Sequence, residues 1–492
     1  MSAIDIQHLT FSYEGDDKEI FHDVSFRIDT DWKLGLIARN GKGKTTLLRL
    51  LSGAYEYEGK INASVSCTYF PFAVPEPQRT VGEILQSLCP SAQEWEFERE
   101  LSLLRLDEGT LTRPYAELSH GEQTKALLAG LFCNENGYLL IDEPTNHLDA
   151  EARRSVAAYL RRKKSFLLVS HDRAFLDDCI DHVLCIQKRD IEIQSGNCSS
   201  WLQNYERRQA METARNEQLQ KDVDRLTEAT RRTAAWADRT EASKYGKAAS
   251  GLKQDKGYVG HKAAKLMQRA MVTQAHRQRA IEEKSALLQN AERCDRLRLR
   301  PLRHRSQTLI TLTDVQMYYG ARKICDPIGL ELRQGERIAL DGSNGCGKSS
   351  LLRLLLGADI RHDGRIETAS GLIVSYVPQT TADLHGNPTE YARAHRLDER
   401  LFFAILSKMD VQADAFGRNI ETYSEGQKKK ILLAKSLCQS AHVYIWDEPL
   451  NYIDMYSRMQ IEQLLLDAQA TMLFVEHDRA FRDRIATRTV TM

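Results

Sequence analysis

Lys44 and Lys348 each sit in a loop of small residues, ARNGKGKTT from Ala38 and GSNGCGKSS from Gly342. Each loop follows an apolar run (Leu34 to Ile37, Ile338 to Leu340) and precedes a Leu-rich stretch, the order strand, loop, helix. Small residues let backbone N–H groups curl around nucleotide phosphates, and a helix N-terminus adds partial positive charge. The pattern predicts phosphate contacts from Asn40, Gly41, Gly43, Lys44, Thr45 and Thr46, and from Asn344, Gly345, Gly347, Lys348, Ser349 and Ser350. Thr45 and Ser349 carry the hydroxyls expected on Mg²⁺.

From Lys44 it is 98 residues to Asp142 and another 29 to His171; from Lys348 it is 99 to Asp447 and another 30 to His477. The aspartates end apolar runs, LLIDEP and YIWDEP, and are followed by Glu143 and Glu448. The Asp can hold a Mg²⁺ shell and the Glu can orient or activate a water, since phosphoryl transfer rests on positioning and charge neutralisation. A lone strand ending in an acidic turn is commonplace. The same turn twice, at matched distance from a phosphate loop, implies one nucleotide-handling domain written twice.

Between these motifs, LSHGEQTK and YSEGQKKK place Ser119 with Gly121 and Ser424 with Gly426 at the start of a helix. One reading is a helix N-cap with Ser before Glu or Gln. The other is a second γ-phosphate cradle, useful only when it faces another domain's phosphate loop.

With DEPTNHLD and VSHDRAF in the first half, and DEPLNYID and VEHDRAF in the second, the motif set resembles the ATP-binding cassette domain over nearly all of residues 1–202 and 306–492. The resemblance implies two α/β cassettes, head to tail, closing on two ATP molecules with Mg²⁺. Lys44, Thr45, Asp142, Glu143 and His171 would face Ser424 and Gly426, while Lys348, Ser349, Asp447, Glu448 and His477 would face Ser119 and Gly121. Glu143, Glu448, His171 and His477 are then the expected catalytic residues. Gln379 would touch both nucleotide and metal, alongside Thr45, Asp142, Ser349 and Asp447 on the metal. Tyr13 and Tyr319 would stack on adenine, or serve as plain strand aromatics beside Phe11 and Tyr318. Two departures stand in the first half: Ala38 replaces the usual leading Gly, and Phe72 stands where Gln379 stands in the second. Two hydrolysis-competent sites of unequal rate are the expectation.

The chain has 492 residues, 42% apolar and 28% charged, which suits two to four soluble domains. No apolar run approaches about 20 residues, and the start MSAIDIQHLTF lacks a basic segment and an apolar core, so neither a membrane span nor a signal peptide is expected. Ten cysteines without a CxxC pair argue for a reducing cytoplasm and against zinc or disulfides. Cys346, inside the second loop, reads as a space-filler whose alkylation would block ATP.

Residues 203–305 carry no cassette motif. From Tyr205 to Arg305 there are 24 Lys plus Arg against 13 Asp plus Glu, a net of +11, in a chain that balances at 68 and 68. Apolar residues recur at helical spacing at Leu219, Val223 and Leu226, and again at Val259, Ala263, Leu266 and Ala270. The glycine-containing stretch 245–257 interrupts them. An antiparallel helical hairpin with its tip near 245–257 is predicted. It is either a solvated spacer or a polyanion contact; residues 231–280 hold 12 basic and 3 acidic side chains interleaved with Trp236, Tyr245 and Tyr258, which favours RNA.

Fused cassettes joined by a basic helical linker resemble the ABC-F translation factors, and DKGYVGHKAAKLMQRA (Asp255 to Ala270) resembles their Lsa/Vga-type antibiotic-resistance members. That resemblance implies a cytoplasmic monomer. It would bind the 70S ribosome, touching rRNA and tRNA near the exit and peptidyl-transferase sites, and displace lincosamides, pleuromutilins and streptogramin A compounds. A housekeeping ABC-F factor acting on stalled ribosomes is the alternative, and a transporter subunit or DNA-maintenance ATPase is a third class. Phe72 to Leu118 spans 46 positions and Gln379 to Tyr423 spans 44, so neither cassette has room for an added arm.

Overall fold

The computed structural model of the protein describes residues 2–14, 19–133, 137–145, 148–186, 191–243, 299–320, 322–343 and 345–492. The expected hairpin tip at 245–257, the returning segment at 259–270 and Asn344 lie outside the described residues. Two compact units emerge, Met1–Trp201 with Leu297–Met492, and Leu202–Arg296.

The first unit holds two α/β cassettes. In the first, β1 (Ala3–Phe11), β2 (Phe21–Asp29) and β4 (Glu58–Ala63) form a three-stranded antiparallel sheet. A six-stranded sheet runs β5-β6-β7-β3-β8-β9, built from β3 (Lys33–Ile37), β5 (Ser66–Phe70), β6 (Gly137–Asp142), β7 (Phe166–Val169), β8 (His182–Ile186) and β9 (Ile191–Ser195). All its pairings are parallel except β8 with β9. Burial on both faces explains why β6 and β7 read as unbroken apolar runs, YLLI and FLLV.

The second cassette repeats the plan. β10 (Thr308–Tyr319) pairs with β11 (Arg322–Lys323), β12 (Ile328–Arg333) and β14 (Arg361–Thr368). A five-stranded parallel sheet runs β15-β16-β17-β13-β18, from β13 (Arg337–Asp341), β15 (Val374–Val377), β16 (Val443–Asp447), β17 (Met472–Val475) and β18 (Arg488–Thr491). Leu299 is buried in this cassette's core and the Leu302 amide donates to the Ala441 carbonyl (2.8 Å), so the chain packs with the second cassette from 299 onward.

A 46-residue helix, Cys198–Ser243, begins with Cys198 and Trp201 buried in the first unit. In its continuation Leu219, Val223 and Leu226 are partly buried, on the face their spacing marked. Among the described residues no helix is long and apolar enough to cross a membrane.

Candidate functional site

Each phosphate loop sits between a strand, β3 or β13, and a helix, α1 (Lys44–Leu51) or the helix Lys348–Leu355. The helix starts where it does because Gly43 and Gly347 cap it in the left-handed region (φ +86° and +104°). A Cβ there would come within 2.6 Å of Ile20 Cγ2 or 2.7 Å of Ile324 Cγ2, so only glycine fits. The Lys44 ammonium donates to the Ala38 carbonyl and Asn40 Oδ1, both at 3.1 Å. Lys348 donates to the Gly342 and Ser343 carbonyls, both at 2.8 Å. Ala38 takes the leading loop position without a positive φ, whereas Gly342 stands at +155°.

Strand register assembles the remaining groups. Asp142 pairs with Val169 and Asp447 with Val475, and the next amides, of Glu143 and Glu448, donate to those same valine carbonyls at 2.9 and 3.0 Å. Each histidine, two residues beyond its valine, therefore lands beside its glutamate. His171 Nε2 is 3.4 Å from Glu143 Oε1 and His477 Nε2 is 3.2 Å from Glu448 Oε1. Both glutamates hold left-handed backbone, φ 52° and 46°, a costly conformation for a residue with a Cβ.

The two carboxylates have different surroundings. Glu448 is met by Gln379 Nε2 (3.0 Å), Asn451 Nδ2 (2.8 Å) and His477. Burial raises its pKa, but His477 and the two amides outweigh burial and hold it down at about 2. Glu143 Oε1 is buried without a hydrogen bond, and Phe72 occupies the place of Gln379. Burial, reinforced by Asp142, pushes Glu143 up to about 8. His171 is held well below the usual imidazole range by burial and by the nearby Lys44 and Arg458 charges, so it is neutral at pH 7. Asn146, counterpart of Asn451, lies outside the described residues.

Contacts between the cassettes complete the arrangement. Ser119, Gly121, Lys348, Ser349, Gln379, Glu448 and His477 line one cleft of 1570 Å³, which joins the first cassette's Ser-Gly helix to the second phosphate loop. On the other side Asn40 Nδ2 donates to the Tyr452 carbonyl (2.9 Å), and a Cβ on Gly426 would lie 3.4 Å from the same Nδ2. Gly426 thus approaches the first phosphate loop, and Arg39 Nη1 reaches Asp410 at 2.8 Å across the same boundary. Ser119 and Ser424 both cap their helices, α4 (His120–Phe132 in the first cassette, after α2 at Val81–Leu88 and α3 at Glu94–Leu103) and Glu425–Cys438 in the second. Each closes a capping box with Glu122 or Gln427, so the N-cap reading holds at both helices.

Tyr13 and Tyr319 are exposed near their phosphate helices, with hydroxyls 2.9 Å from Thr46 Oγ1 and 3.2 Å from Ser350 Oγ. Tyr55 joins Tyr13 edge-on, at 5.8 Å between ring centroids. Three contributors were not singled out along the chain. Asn451 had a signal, since DEPxN occurs in both halves. Lys429 lies within YSEGQKKK, but nothing there distinguishes it from the lysines on either side, and Tyr55 had no signal, because neither periodicity nor spacing distinguishes it from a surface position.

The donor sets fit Mg²⁺, a hard ion that takes oxygen ligands and keeps several waters. Thr45 Oγ1 donates to Asp142 Oδ2 (2.7 Å) and Ser349 Oγ to Asp447 Oδ1 (3.1 Å), and Asp447 Oδ2 is buried with no hydrogen-bond partner. Gln379 turns its amide to Glu448.

The family described as ABC transporter matches twice, over residues 21–146 and 325–451. The chain is 26% identical to the ribosome protection protein VmlR of Bacillus subtilis, over 96% of this chain and 84% of that protein. It is 24% identical to the energy-dependent translational throttle protein EttA of Haemophilus influenzae, over 96% and 88%. Among solved structures, the complex of archaeal ribosomal stalk protein aP1 with the ribosome recycling factor aABCE1 matches with a TM-score of 0.64 at 19% identity, over 98% of this chain and 87% of that one. At that identity the likeness concerns the fold.

Proposed function

We propose that this chain, which belongs to the ABC transporter family of ATP-binding cassette proteins, is an ABC-F ATPase that binds the ribosome when ATP closes its cassettes and leaves on hydrolysis. The observation that carries this reading is the composite cleft, where Ser119 and Gly121 of one cassette stand with Lys348, Ser349 and Glu448 of the other. A nucleotide bound there would be gripped by both cassettes, so binding would favour closure and loss of the γ-phosphate would release it.

In each site the loop lysine would neutralise phosphate charge, and the Ser-Gly helix start would present backbone N–H groups to the γ-phosphate. Mg²⁺, held by Thr45 with Asp142 and by Ser349 with Asp447 and Gln379, would supply charge neutralisation at the phosphates. Glu448, ionised and oriented by Gln379, Asn451 and His477, would position the attacking water and accept its proton. Glu143 would act likewise after losing its own proton.

The +11 segment between the cassettes supports a polyanion partner, and the names of the relatives point to the ribosome. In this reading the protein is a cytoplasmic monomer, and the tip near 245–257 approaches rRNA and tRNA between the exit and peptidyl-transferase sites. There it displaces lincosamides, pleuromutilins and streptogramin A compounds, the range implied by the resemblance of Asp255 to Ala270 to Lsa/Vga-type members, and similarity to a ribosome protection protein supports a protective role. A housekeeping role on stalled ribosomes is the second reading, favoured by similarity of the same order to the translational throttle protein.

The Glu143→Gln, Glu448→Gln double variant tests the core of this proposal. It should pellet with 70S ribosomes when ATP is present; absence from the pellet with ATP binding intact overturns ribosome action. Expression in a drug-sensitive bacterium separates the two roles: raised tolerance to any of the three drug classes supports protection, and unchanged susceptibility to all three leaves the housekeeping role.

A further inference from the structure

We propose that Lys429 is a positioning residue for hydrolysis at the second site, and that through it contact at the first site's Ser-Gly helix reaches Glu448. The inference rests on the reading of Glu448 as the residue that orients the attacking water.

Lys429 lies in the helix Glu425–Cys438 with only 2% of its surface exposed. A buried ammonium is retained only where its protons are taken up. Its Nζ donates to the Pro378 carbonyl (3.0 Å) and the Glu448 carbonyl (3.1 Å). The first acceptor belongs to the peptide leading into Gln379, whose amide holds Glu448 Oε2. The second belongs to Glu448 itself, whose φ of 46° must be held by its surroundings. One ammonium therefore fixes both the backbone of the working carboxylate and that of the amide that aims it. Glu476, Glu448 and Asp447 surround it with negative charge, partly offsetting the burial that lowers its pKa.

The same helix begins at Ser424, and its Gly426 approaches Asn40 of the first phosphate loop. From residue 424 to 429 a helix rises roughly 7.5 Å. One rigid element thus touches the first site's loop at its end and the second site's glutamate just over a turn later. The first cassette lacks this link. There Thr124 takes the place of Lys429 and turns its hydroxyl back to the His120 carbonyl (2.9 Å), and Phe72 takes the place of Gln379. Among the described residues this lysine link therefore serves Glu448, and Glu143 has no counterpart of it.

The test uses the full chain carrying Glu143→Gln, so that only the second site turns over. Lys429→Thr should lower kcat on the order of tenfold or more, with KM for ATP little changed, as expected when a reacting group is displaced without loss of binding. Lys429→Arg, which keeps a charged donor, should recover most of it. Lys44→Ala, which disables nucleotide binding at the first site, should slow the second site when Lys429 is present and add nothing in Lys429→Thr, a non-additive cycle. An unchanged kcat in Lys429→Thr overturns the proposal. So does full additivity with Lys44→Ala, or a loss shared equally by Lys429→Arg and accompanied by a lowered melting temperature, which marks a purely structural lysine. If Glu143→Gln, Glu448→Gln still hydrolyses ATP, the reading of Glu448 fails instead, whatever Lys429 does.

Discussion

Arg173 of the first cassette and Glu462 of the second form a buried ion pair, Nη1 to Oε2 at 3.2 Å with Nη2 on Oε1, and Arg484 adds a second cation on Oε2 at 3.0 Å. Arg173 lies two residues after His171, and Glu462 lies in the helix Met455–Ala468 that follows Asp454. The pseudo-equivalent positions are Arg479, exposed and paired with Asp483, and Ala157, which has no charge to offer. The latch is therefore one-sided, on the same side as the contact of Asn40 with Tyr452.

Removing one partner of this pair strands a buried charge. Glu462→Ala should lower the unfolding free energy by about 3–5 kcal/mol, since two arginines lose their acceptor. Replacing Arg173 and Glu462 together by leucine should cost less than Glu462→Ala alone. Differential scanning calorimetry checks both, and equal losses would show that the stranded charge is not the cause.

The two sites should respond differently to pH. With Glu143 raised to about 8, turnover by the first site, measured in Glu448→Gln, should rise roughly tenfold from pH 7 to 9 as the carboxyl gives up its proton and becomes able to act as a base. With Glu448 at about 2, turnover by the second site in Glu143→Gln should show no such rise between pH 6 and 9. Parallel profiles would refute the assignment.

Phe72→Gln should place an amide where Gln379 stands in the second cassette and draw Glu143 downward, because a hydrogen bond to the charged form favours it. The expected outcome is a higher rate at pH 7 for the first site and a pH profile displaced to lower pH, read in the Glu448→Gln background. A rate and profile identical to those of Phe72 would show that the missing amide is not what separates the sites.

Gly426→Ala should weaken closure on the first loop, because its Cβ would lie 2.7 Å from the Tyr452 carbonyl, a contact that only backbone movement can relieve. Binding of a fluorescent ATP analogue should weaken more at the first site than at the second. Retained affinity at the first site would mean the helix start does not contact its nucleotide.

Much of the fold and site was open to reading along the chain. The apolar runs before Lys44 and Lys348 lie in β3 and β13, and the turns after Asp142 and Asp447 end β6 and β16, because two-sided burial demands continuous hydrophobicity and phosphate loops demand small residues in sequence. These are local requirements, written in consecutive residues. The substitution of Phe72 for Gln379 was equally visible, but its effect was not: a pKa of about 8 against one of about 2 depends on which donors converge on each carboxylate.

The sequence by itself determined the duplication, the phosphate loops, the acidic strand ends and the charge of the inserted segment, since each is fixed by residue type at short spacing. Only the tertiary structure decided that His171 and His477 meet their glutamates, that Lys429 holds the Glu448 backbone, and that Arg173 finds Glu462 but Arg479 finds no equivalent. Those contacts join residues far apart in the chain through strand register and cassette packing, and no local pattern records which buried charge will face which.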